Sequence, residues 1–137
     1  MHFNTPPKIL LQESFSEVSF DEEHKVIITK WKGALALEQV RSTLDFKTDF
    51  IREHGVRNNL NDHTELKVLS PEVQQYLVEE GHFSLERVGL RKIAVKLAKD
   101  IFAQATVRRV NKIEKYGQLE IEVFSNYEDA YAWLLGG

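Results

Sequence analysis

Cysteine is absent from the 137 residues. That one absence excludes disulfides, thiol nucleophiles, cysteine-type zinc clusters and iron–sulfur ligation. Long apolar runs are missing too, and none approaches the ~20 residues of a membrane-spanning helix. The opening MHFNTPPKILLQES lacks the basic start and apolar core of a secretory leader, so a cytoplasmic protein is expected. The five histidines (His2, His24, His54, His63, His82) never fall at metal-ligand spacing, so no metal is expected. G-x-S-x-G, G-x-G-x-x-G and phosphate-loop motifs do not occur, and no cofactor is expected.

Basic and acidic side chains nearly balance. The net charge is −3, which gives no whole-chain attraction for nucleic acid. Residues 91–115 are the exception, with eight basic and two acidic side chains. That stripe lacks interleaved aromatics for stacking bases, and reads as a solvated face. Hydrophobic residues make up 42% and charged residues 28%. At this length the balance supports one domain with a real core, 1–137, with residues 1–7 expected to be flexible.

Periodicity then orders the chain. Pro6 and Pro7 discourage early regular structure. Ile9–Gln12, Val18–Phe20 and Val26–Trp31 read as strands, with DEEH as the intervening turn and Gly33 as the end of the third. Leu37, Val40, Leu44 and Ile51 recur at helical spacing, and Gly55 suits the position just past the helix. VRNNLND is a weak strand, since asparagine is a poor strand former. Ser70 and Pro71 mark a helix start, with Val73, Tyr76 and Leu77 inward and Gly81 as its stop. RKIAVKLAKD alternates cleanly as a strand. A helix capped by Asp100 follows, with Phe102, Ala103, Val107, Val110 and Ile113 inward and Gly117 at its end. QLEIEVFS alternates strictly and reads as an edge strand or a strand covered on one side. Ser125 and Glu128 form the S-x-x-E pattern of a capping box, before a last helix that puts Ala130, Trp133 and Leu134 on the sheet.

The predicted class is therefore α/β. It is a mixed β-sheet with an N-terminal antiparallel hairpin and then parallel βα units, flanked by about four helices. The terminal strand with FSNYEDAYAWL, and the preceding KIAVKLAKDIFAQATVRRV, resemble small STAS-like proteins related to the anti-sigma-factor antagonists and the bacterial STAS/CRAL-TRIO-like set. The resemblance spans roughly residues 8–135. It implies non-enzymatic work: binding a protein partner, or holding a small apolar or nucleotide ligand. It also places a switch serine at the start of the helix after a central strand, within Asp-Ser-Ser-Gly or Asp-Ser-Thr-Gly. The matching stretch here is LSPE, so Ser70 stands at the switch place with Leu69 in place of the acid and no glycine.

Three candidate sites follow. Ser70, Asp62 and Thr64 form a switch or partner-binding set on an expected 62–72 loop and helix start. A phosphate at Ser70 would meet free N–H groups, and the competing reading is an ordinary N-cap. Asp62 and His63 could serve a hydrolase or transferase, but neighbours on a strand point to opposite faces. Phe46 and Tyr131 lie off their helical stripes, and are expected to be exposed in a groove or a homodimer contact.

Overall fold

The computed structural model describes residues 3–103 and 114–136. They form one sheet of seven strands in the order β1-β2-β3-β4-β5-β7-β6. The strands are β1 (Lys8–Gln12), β2 (Ser16–Asp21), β3 (Val26–Leu35), β4 (Asn58–Leu69), β5 (Lys92–Lys96), β6 (Glu114–Tyr116) and β7 (Leu119–Phe124). β1, β2 and β3 are antiparallel neighbours, whereas β3, β4, β5 and β7 run parallel. The expected mixed α/β sheet is what forms. Residues 3–7 have no helix or strand, yet the Phe3 ring packs edge-on against Tyr131 at 5.9 Å.

Helix α1 (Leu37–His54) lies against one sheet face. Its inward stripe is Val40, Thr43, Leu44, Lys47 and Ile51, and Gly55 closes it in the left-handed conformation. On the same face lies one continuous helical run of three parts. These are α2 (Pro71–Tyr76), a π turn (Leu77–Gly81) and α3 (His82–Arg87). The other face carries α4 (Tyr127–Leu134), which contacts β4, β5 and β7. The alternation of β3 explains this split. Ile27 and Trp31 join the core beneath α1, while Val26 and Ile28 join Ala130, Tyr131 and Leu134 beneath α4. Burying each of the valine, isoleucine and leucine side chains among them contributes roughly 1.5–3 kcal/mol.

Several boundaries differ from expectation. β3 continues through Gly33 to Leu35, because Gly33 adopts φ 75° where the pairing with β4 slips. The segment expected to be a loop at 62–72 is strand as far as Leu69, and only Ser70 separates it from α2. Gly81 does not stop its helix; the π turn carries the chain on. Gly117 turns the β6–β7 hairpin at φ 61°, so β6 is the sheet edge and β7 is interior. Asn126, not Ser125, caps α4 through the Asp129 N–H at 2.8 Å. Asp100 lies inside a helical turn at 99–103 rather than before it, while Val107, Val110 and Ile113 lie outside the described residues.

Candidate functional site

A cavity of about 380 Å³ opens between the sheet and the helices of its first face. Its walls are mostly apolar: Trp31 and Leu35 from β3, Leu44 from α1, Leu77 and Leu85 from the helical run, and Val95 and Ile121 from the sheet. The polar side chains on those walls are Lys47, Asn61, His63, Gln74, His82 and Glu114, with the Tyr116 phenol beside them.

β4 sets this lining by its irregularity. In a regular strand, alternate residues share a face. Here the pairing with β3 slips twice, between Asp62 and Glu65 and again between Leu66 and Val68. Each slip inserts one residue and flips the phase. Asn61, His63, Leu66 and Leu69 therefore all reach the cavity, at steps of two, three and three. The helical run makes a similar adjustment. The π turn places Leu77 and His82, five residues apart, on the same wall.

Lys47 is the most unusual group. Its relative exposure is 0%. Nζ donates to Asn59 Oδ1 at 2.8 Å and to Asn61 Oδ1 at 3.3 Å, and lies 6.0 Å from the centre of the Trp31 ring. Asn59 is itself fixed, because its Nδ2 donates to the Ile27 carbonyl at 2.9 Å. Among the described residues no carboxylate pairs with the amine. Burial alone pushes the Lys47 ammonium down to about 7. Burial is also the largest cause that holds His63 and His82 down to about 4, and Lys47 lowers each further. Asp62 pulls His63 the other way. His82 Nδ1 is buried and has no hydrogen-bond partner among the described residues, while its ring packs on Tyr116 at 4.4 Å.

The residues singled out in the sequence do not gather here. His63 faces the cavity, whereas Asp62 faces α4 and accepts from the Tyr127 hydroxyl at 2.6 Å. Asp62 also accepts from the Thr64 hydroxyl at 2.6 Å and the Thr64 N–H at 2.9 Å. Lys96 in turn donates to Thr64 Oγ1 at 2.8 Å. Burial raises the Asp62 carboxyl, but these hydrogen bonds and the Lys96 charge outweigh it, leaving it below its usual range. Asp62 and His63 thus diverge, as alternation on a strand requires. Ser70 Oγ accepts from the Val73 N–H at 3.2 Å, which is the N-cap geometry. Tyr131 is not exposed: it is buried, and its hydroxyl donates to Asp21 at 3.0 Å. Phe46 is half-buried and packs against the core beneath α1. The two aromatics lie on opposite sheet faces and form no common groove. Lys47 was missed, although a signal was present. It occupies the third place in the stripe Val40–Leu44–Lys47–Ile51, where an apolar residue is expected.

A parallel core with an antiparallel N-terminal hairpin, and helices on both faces, defines the SpoIIAA-like, or STAS-like, class of α/β fold. A crystal structure with this fold is similar along almost the whole chain. It is an uncharacterised protein of the DUF3478 family from Shewanella loihica PV-4, with a TM-score of 0.54, 19% identity and 98% of each chain covered. No protein-family model and no curated protein matches the sequence. Among the described residues, no helix is long and apolar enough to cross a membrane.

Proposed function

We propose that this protein is a non-enzymatic, STAS-like regulatory module, and that it works by binding a small, largely apolar ligand in the cavity beside Lys47. The cavity carries the reading. About 380 Å³ lies within the range of small-molecule sites, and apolar walls with a few polar groups are their usual construction. Non-enzymatic work is supported by Asp62, the one carboxylate of the sequence-predicted set, which turns away from the cavity and is fully engaged with Tyr127 and Thr64.

A neutral fluorescent probe, N-phenyl-1-naphthylamine, tests this, with energy transfer from Trp31 as the signal. Saturable binding of one probe per chain is expected. Val78→Trp should abolish it while the circular dichroism is retained, because Val78 lies at the wall yet is 52% exposed. Binding that never saturates, or that survives Val78→Trp, would sink the reading.

A protein partner at the 62–72 segment is the second reading. Val68 and Val78 favour it, being exposed apolar side chains of the strand and the helical run that meet at Ser70. Capture from lysate by the wild type and by Val68→Asp tests it. Identical partner sets would remove this shoulder from consideration.

A further inference from the structure

We propose that the ligand is a singly charged amphiphile, with a carboxylate head seated on Lys47 and an apolar tail of about ten carbons along the cavity. This deepens the cavity reading above and rests on it.

Charge comes first. An ammonium held away from water costs several kcal/mol unless it is paired. Lys47 has two amide oxygens as acceptors and no counter-charge among the described residues, so its solvation is incomplete. A ligand carboxylate completes it. The other groups around the amine fit the same head. His82 presents a buried Nδ1 with no partner among the described residues, and a neutral imidazole can place its proton on that nitrogen and donate. His63, held neutral, adds no second positive charge. Asn61 Nδ2 supplies an amide donor type on the same wall. One cation and neutral donors suit a monoanion better than a phosphate dianion, which usually recruits arginine or several N–H groups. Glu114 is the one acid on the wall among the described residues. It is exposed on β6.

Size comes second. At about 30 Å³ for each small non-hydrogen group, the volume holds roughly a dozen such atoms. Decanoate has that size, and decanamide matches it in shape without the charge. The tail would lie among Leu44, Leu77, Leu85 and Val95.

The pair decanoate and decanamide supplies the test, by calorimetric titration of the full chain at about pH 6.5. Decanoate is expected to bind about tenfold tighter or more, the usual scale for a buried charge-assisted hydrogen bond. Lys47→Met should erase the preference while decanamide still binds. His82→Phe keeps an aromatic ring against Tyr116 and should narrow the preference. Thermal unfolding of each variant establishes that it folds. Equal affinity for the two ligands in the wild type, or a preference that survives Lys47→Met, would overturn the carboxylate assignment and leave the cavity reading standing. If neither ligand nor the neutral naphthylamine saturates, both readings fail together.

Discussion

Asn59 holds Lys47 with one end of its amide and the β3 backbone with the other: Oδ1 accepts from Nζ at 2.8 Å, and Nδ2 donates to the Ile27 carbonyl at 2.9 Å. The asparagine is thus the joint between α1 and the middle of the sheet. Asn59→Ala would leave a buried ammonium with one long hydrogen bond, at a cost of about 3 kcal/mol in urea unfolding. Asn59→Asp would instead supply the missing counter-charge and move the Lys47 titration up toward 10.5, visible by NMR of the labelled lysine. A titration that stays near 7 in Asn59→Asp would separate the two side chains.

The pH dependence of stability has two limbs. The folded Lys47 titrates near 7 and the unfolded one near 10.5, so the unfolded chain binds more protons between those values. Stability therefore rises with pH across that window. Lys47→Met should flatten the rise and stabilise the empty protein at pH 7 by about 2–4 kcal/mol. His63 and His82, near 4 when folded and 6.5 when unfolded, give an acid limb. Their contribution is complete above pH 6.5 and is lost as pH falls toward 4. Chemical unfolding at a series of pH values checks both limbs. A wild-type curve with no slope between pH 7 and 10 contradicts the burial of Lys47.

Tyr127 ties α4 to β4 through Asp62. Tyr127→Phe removes the 2.6 Å bond and should cost about 1–3 kcal/mol. The Asp62 carboxyl, now lacking one of its donors, should titrate higher than in the wild type. Carbon-detected NMR of the aspartate carboxyl reads this directly, and an unmoved titration would show that Thr64 and Lys96 suffice.

Ser70 is a cap in this geometry. Ser70→Ala should cost about 1 kcal/mol. Ser70→Asp preserves an acceptor for the Val73 N–H and should be nearly neutral. A large loss in Ser70→Asp with none in Ser70→Ala would reverse the assignment and return the residue to the role of a switch.

Much of the architecture was legible because strand and helix periods are strong where one face is buried. Val26–Trp31, Lys92–Lys96 and the α1 stripe were all readable that way. What escaped depended on partners distant in sequence. Asn58, Asn59 and Asn61 look hostile to a strand, yet Asn59 and Asn61 accept from Lys47 and Asn59 also donates to the β3 backbone. The bulges that extend β4 depend on pairing with β3, which alternation within β4 cannot reveal. Gly81 resembles a terminator, but its backbone is helical and its space is taken by Leu44, 3.0 Å from where a Cβ would stand. The candidate site was half visible: His63 is in it, while Lys47 was hidden by its place in an apolar stripe.

Asp62 and His63 turn back to back on consecutive α-carbons, about 3.8 Å apart. The imidazole borders the cavity; the carboxylate anchors the terminal helix. At that single rung the protein is one peptide thick between its two sides. If the proposed guest displaces the ring, the same rung that Tyr127 grips would move with it, and an isotope label on the phenol is expected to report events in a chamber it never touches.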